Sequence, residues 1–209
     1  ASVFVDTVVS PTYETALAQM AQVAGISGLE NNSVLFELAH DDPDAVNKTA
    51  ANCRIVAGLD LNICILRSSA RRFGFRRTIH VWITREDDRN ANLMILLAYI
   101  IAGHPDWKNS EISVFASFPR EEMENQRERL AQRILQERLP ISLKRLRVTP
   151  YSGEDLFETQ VVRTSADADL TLLGFDTEAF ARAEGESVSA FKGLHDVLFV
   201  DARQDIAVR

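Results

Sequence analysis

The side chains in this sequence with the chemistry for metal binding, proton transfer or nucleophilic attack are few and scattered. The four histidines are His40, His80, His104 and His195. No two lie three or four positions apart, so none forms a helical metal pair. His80 alternates with Ile79 and Val81, which reads as a strand position without a base or ligand partner close in sequence. Cys53 and Cys64 lack the close spacing of a redox or zinc motif and read as buried free thiols. Acids gather at Asp41-Asp42 and at Glu86-Asp87-Asp88. Both groups precede helical patterns, where the helix dipole favours negative charge. The second also follows a strand, at the end of a sheet where α/β folds place ligands. No other acidic pair is positioned to complete a hard-cation shell. Capping, with no metal bound, is the expected role.

Gly25-Ile26-Ser27-Gly28 has part of the spacing of a phosphate loop, but it follows a helix and lacks the Lys-Ser/Thr ending. A helix C-cap with a turn explains it better. No G-x-S-x-G elbow and no Cys/His nucleophile pair occur. The sequence is therefore expected to carry no catalytic residues, no metal site and no cofactor site.

The elements that would position any site follow from periodicity. Strands are predicted over residues 3–9, 33–38, 62–66, 78–84, 111–118, 144–149, 169–174 and 197–201. Helices are predicted over 12–24, 43–58, 90–102, 120–139, 153–165 and 178–191. Such alternation implies right-handed crossovers and a parallel sheet, hence an α/β fold. Residues 78–209 contain five of the strands, enough for one doubly wound sheet. Residues 1–70 contain three, which is short for a free-standing sheet, and residues 71–77 read as a basic linker between the two units.

Two segments stand out within this frame. The helix from Leu93 to Ala102 is apolar around its whole circumference, so cover is expected on two sides. Leu93, Leu96, Leu97, Ile100 and Ile101 are the candidate contacts, with the other half of the chain or with a second copy. The run Arg71-Arg72-Phe73-Gly74-Phe75-Arg76-Arg77 places Arg71, Arg72, Arg76 and Arg77 around two phenylalanines. It is a candidate contact for an acidic partner or anionic lipid, or else a solvated linker. The helix at 120–139 has an apolar stripe of Met123, Leu130, Ile134 and Leu135 and a charged outer face, which suits a surface helix.

Composition excludes several classes. The chain has 209 residues, 46% apolar and 25% charged, an ordinary globular balance. A net charge of −7 disfavours nucleic-acid binding. Two thiols in a chain of this length suit a reducing compartment. No run reaches the ~18–20 apolar residues of a membrane span, and the N-terminal residues lack a signal peptide pattern. The sequence opens without Met inside a strand-like run, so a fragment is expected.

Three stretches resemble one family, the cation–chloride cotransporters, in their cytoplasmic C-terminal region. They are Ala24-Gly25-Ile26-Ser27-Gly28-Leu29 through Leu35; Ile79-His80-Val81-Trp82-Ile83, then Leu93 to Ile101, then Trp107-Lys108-Asn109 through Phe115; and Ala168-Asp169-Leu170 through Gly174. The middle block is the most specific. The family's Asp-Asp-Gly-Gly-Leu turn reads here Asp87-Asp88-Arg89-Asn90-Ala91-Asn92-Leu93, without its glycines. The resemblance implies two subdomains like universal stress proteins, the second a five-stranded parallel sheet and the first incomplete. It also implies a homodimer, attachment to the transporter's own membrane domain at the cytoplasmic face, and contacts with regulatory proteins or the membrane surface. The implied role is regulation and assembly in the symport of Na+ or K+ with chloride, without catalysis. The rival is a nucleotide-binding domain of the universal stress type. Those proteins place G-x-x-G after the fourth strand, where this chain has Gly174-Phe175-Asp176-Thr177-Glu178-Ala179-Phe180, so the acids Asp176 and Glu178 stand where phosphate would sit.

Overall fold

The structure of the protein, a computed structural model, describes Val5 and residues 7–23, 31–39, 43–136, 142–151, 157–182 and 190–204. Strands arise where apolar residues run on without alternation, as expected when both sheet faces are covered. Asp196–Asp201 (β7) is buried at every position, and Leu170–Gly174 (β6) and Asn62–Ser68 (β2) are buried or half-buried throughout. The other strands are Ser33–Ala39 (β1), Thr78–Ile83 (β3), Glu111–Pro119 (β4) and Leu146–Tyr151 (β5). The helices are Tyr13–Gln22 (α1), Pro43–Ala57 (α2), Asn90–Ala102 (α3), Met123–Gln136 (α4), Phe157–Ser165 (α5) and Thr177–Arg182 (α6).

The strands form one seven-stranded sheet in the order β1-β2-β7-β6-β3-β4-β5. The five strands β3 to β7 pair in parallel throughout, the doubly wound sheet anticipated for the second half. β1 and β2 are also parallel to each other. The two halves meet edge to edge through an antiparallel pairing of β2 with β7, in which Ile65 stands opposite Phe199. An internal two-fold results. β1–α2–β2 and β6–α6–β7 are each a parallel pair joined by a helix on the same sheet face, and α2 packs on α6 across the junction.

Alternate strand residues serve two cores. On one face Ile79, Val81, Val114 and Leu172 lie under Met94 and Ile95 of α3 and under Leu130 and Ile134 of α4. On the other, Ile63, Ile65, Trp82, Phe115 and Phe199 meet Cys53 and Val56 of α2, Val161 of α5 and Phe180 of α6. Cys53 and Cys64 are free and buried, and burial pushes both thiols up to about 12.

The structure departs from the sequence expectation in places. Of the strand expected over 3–9, the described residues Val5 and Thr7 to Val9 are not in a strand, and Val5 and Val9 are 83% and 96% exposed. A strand is stable only beside a neighbour, and among the described residues none pairs with the outer edge of β1. Leu135, placed in the apolar stripe of α4, is 66% exposed. The stripe is carried by Leu130 and Ile134, one turn apart. Ala190 and Phe191, at the end of the helix expected over 178–191, are not helical. Gly25 to Gly28, His40, Asp41-Asp42 and the beginning of the helix expected from 153 lie outside the described residues.

Candidate functional site

The order of the sheet creates one natural crevice. From β3 the chain moves to β4 on one side, whereas from β6 it moves to β7 on the other. Loops therefore diverge between the C-terminal ends of β3 and β6, the position at which doubly wound sheets take ligands. A cavity of about 300 Å³ opens there, between Thr84 after β3, Gly174 at the end of β6 and Asp201 at the end of β7.

Three polar residues build its frame. Thr84 and Asp87 form a reciprocal cap, with the Thr84 amide and hydroxyl donating to Asp87 Oδ2 at 2.8 and 2.7 Å. Asn90 opens α3 and donates through Nδ2 to Asp87 Oδ1 at 3.1 Å and to the Phe175 carbonyl at 3.4 Å. Its Oδ1 accepts from the Ala202 amide at 2.8 Å. One side chain thus ties the loops after β3, β6 and β7 together. Burial pushes the Asp87 carboxyl up, against the Thr84 and Asn90 hydrogen bonds that pull it down. Asp87 is thus the member of the second acidic cluster that caps. The cluster's third member, Asp88, points away to Arg129 and Arg133 of α4, at 2.9 and 3.3 Å. Among the described residues no three His, Cys, Asp or Glu side chains converge as a metal-binding group.

The loop after β6 is poorly suited to phosphate. A phosphate nest needs free backbone amides, and here four of those between Phe175 and Phe180 are engaged. Phe175 N donates to the Val200 carbonyl, Thr177 N to Asp201 Oδ2, Ala179 N to Asp176 Oδ1 and Phe180 N to the Asp176 carbonyl. Asp176, one of the two acids that the sequence placed against phosphate, acts as the cap of α6.

The walls are aromatic. Phe157 and Phe175, both half-buried, line the crevice with the buried side chains of Trp82, Leu173, Phe191 and Phe199. Trp82 stacks on Phe115 at 4.8 Å, and its indole donates to Ser165 Oγ at 2.9 Å. His80 meets the same hydroxyl at 2.9 Å. Burial, then the charge of Arg147, holds His80 down at about 4, so it is a neutral structural side chain near pH 7. Phe157, Glu158, Phe175 and Asp201 escaped the sequence reading as site residues. The signal for them was positional, since each lies at or just after the end of a strand or at the start of a helix around the switch in strand order.

The other residues singled out from sequence lie elsewhere. In α3, Leu93 is buried in the core, while Leu96, Leu97 and Ile101 are half-buried. Ile100 and the neighbouring Tyr99 are 59% and 52% exposed. One side of this apolar helix is therefore open among the described residues. The arginine run is a tight, anchored turn. Arg72, Phe73, Gly74 and Arg76 all have positive φ, a cost for the non-glycine residues that two aspartates offset. Asp169, just before β6, accepts from the amides of Phe75, Arg77 and Thr78 at 2.9, 2.8 and 3.1 Å and from Arg71 at 3.0 Å. Asp196, at the start of β7, accepts from the Ser69 amide at 2.6 Å and from the Phe73 amide. Arg76 pairs with Asp106 at 2.7 Å.

No family model matches this sequence, and no curated protein matches it. Solved structures do match in shape. The cytoplasmic domain of a prokaryotic cation chloride cotransporter superposes with a TM-score of 0.63 at 14% identity, over 93% of this chain and 72% of that one. A functionally unknown protein from Pseudomonas aeruginosa PAO1 gives 0.52 at 18% identity, over 91% and 68%. A protein described as a universal stress protein from Pseudomonas aeruginosa UCBPP-PA14 gives 0.53 at 19% identity, over 91% and 68%. The likenesses establish the fold, an α/β architecture with a mostly parallel sheet of the universal-stress-protein kind, shared with a cotransporter's cytoplasmic domain.

Proposed function

We propose that this chain is a regulatory and assembly domain of a cation–chloride cotransporter, held at the cytoplasmic face of a membrane and moving no ions itself. The observation that carries this reading is the superposition on such a cytoplasmic domain over 93% of the chain. It accords with the stretches around Trp82, Leu93 to Ile101 and Trp107. Among the described residues no helix is long and apolar enough to cross a membrane, so ion selection and transport belong to a separate membrane part. The domain's own work is association, and the open side of α3, with Tyr99 and Ile100, is the surface for a second copy. The gene that encodes the chain tests the reading. About twelve hydrophobic segments of ~20 residues each in the same reading frame are the expected result, and a frame without any would refute it.

A second reading, a nucleotide-binding domain like a universal stress protein, has the crevice between β3 and β6 in its favour. The engaged amides after Gly174 and the acids around them count against it. Calorimetric titration with ATP separates the two. Micromolar binding that is lost on altering Phe175 to Thr177 would favour the second reading.

A further inference from the structure

We propose that the crevice between the ends of β3 and β6 binds a small organic cation, an ammonium group carried on a hydrocarbon body. The inference rests on the cavity itself and is independent of the transporter reading. Its volume of about 300 Å³ lies at the lower end of the range for small-molecule pockets. Half-buried Phe157 and Phe175 line it together with the buried apolar side chains of Leu173 and Phe199. Aromatic faces attract cations through the ring quadrupole, and more strongly where water is excluded.

Charge around the opening has the matching sign. Among the described residues Glu86, Glu158 and Asp176 line it, against one cation, Arg89. Asp87 and Asp201 line it too, but both Asp87 oxygens are held by Thr84 and Asn90, and Asp201 Oδ2 is held by the Thr177 amide and Arg203. Glu86 and Glu158 accept no side-chain hydrogen bond and make no ion pair among the described residues, so their charge is available. A metal ion needs ligands converging at about 2–2.6 Å, and these carboxylates do not converge. An anion would meet acids and occupied amides. A bulky cation with diffuse charge needs neither convergence nor free amides. It needs apolar walls and a negative rim, which this crevice supplies.

The test uses phenethylamine and choline as probes, with phenylacetate, which has nearly the same body and the opposite charge, and ATP as controls. Each is titrated into the domain by calorimetry, with Trp fluorescence as a second readout because Trp82 lines the crevice. Saturable binding of at least one of the two cations is expected, with no binding of phenylacetate or ATP. Glu86→Gln and Glu158→Gln each remove a carboxylate at the rim without touching the core. Each should weaken the cation by about fivefold while circular dichroism stays unchanged. The proposal is overturned if neither cation binds at millimolar concentration or if phenylacetate or ATP binds as well as the cations. It also fails if cation affinity is the same in both glutamine variants, which would mean adsorption to the acidic surface.

Discussion

The carboxylate of Asp87 occupies the space beside Gly174 that a β-carbon at that position would need. This is a close approach of a side chain to a bare backbone, at the point where β3 and β6 diverge. Gly174→Ala forces the Asp87 carboxyl away from Thr84 and Asn90. A loss of about 1–3 kcal/mol is expected, the usual cost of overpacking, read as a shifted urea midpoint. The contact is specific, so the double variant Gly174→Ala with Asp87→Ala should lose less than the sum of the single changes. Strict additivity would show that the crowding lies elsewhere.

Asp169 makes a second prediction. Burial works against its charge, but the amides of Arg77, Phe75 and Thr78 and the Thr78 hydroxyl outweigh it and hold its carboxyl below the usual range. A lowered carboxylate contributes stability that is present above the unfolded value of about 4 and fades as pH falls through the folded value. Asp169→Ala leaves three amides without their acceptor, at an expected cost of about 2–4 kcal/mol. Its local signature is the stronger check. The turn holds Arg71, Arg72, Arg76 and Arg77, all trypsin sites, in a conformation with four positive φ angles. Trypsin should cut the variant in this turn much faster than the wild type. Equal cutting rates would show that Asp169 does not anchor it.

His80 supplies a pH dependence in a different window. Burial, with Arg147 beside it, holds the folded imidazole at about 4, whereas the unfolded value is about 6.5. Between those values the unfolded chain takes up a proton that the folded chain refuses. Stability therefore falls as pH drops from about 6.5 towards 4. His80→Asn should flatten that part of the profile. Urea midpoints at pH 7, 5.5 and 4.5 measure it, and a variant with an unchanged slope would clear His80 of the effect.

Periodicity made most of the sheet legible, because β6 and β7 carry near-continuous apolar runs, as a sheet covered on both faces demands. The manner in which the halves join was not legible. Nothing in Asn62 to Ser68 names β7 as its antiparallel neighbour, and strand order depends on contacts far away in sequence. The anchoring of the arginine turn was not legible for the same reason, since Asp169 and Asp196 lie about a hundred positions downstream. Leu135 sits one position from Ile134, yet the helix turns it to solvent. The crevice is drawn from four separate segments. Its acids were visible in sequence as charges, but its aromatic walls, Phe157 and Phe175, had no motif to mark them.

The exposed side of α3 allows a clean test of assembly. An apolar helix with one open face loses free energy to water unless a partner covers it. Leu93, Met94 and Ile95 face this chain's own core, so a charge at any of them would unfold the domain and say nothing about a dimer. Ile100 is 59% exposed, and Ile100→Asp should leave the folded monomer intact. If two copies meet on this face, the substitution buries an unpaired charge at the contact, and the dimer constant should weaken by more than about tenfold. Sedimentation over a range of concentrations reads the association, and circular dichroism confirms the fold. Met94→Asp serves as the contrast and should lose the fold. A wild-type domain that stays monomeric at high concentration, or an Ile100→Asp variant that dimerises as readily as the wild type, would remove α3 as the contact between copies.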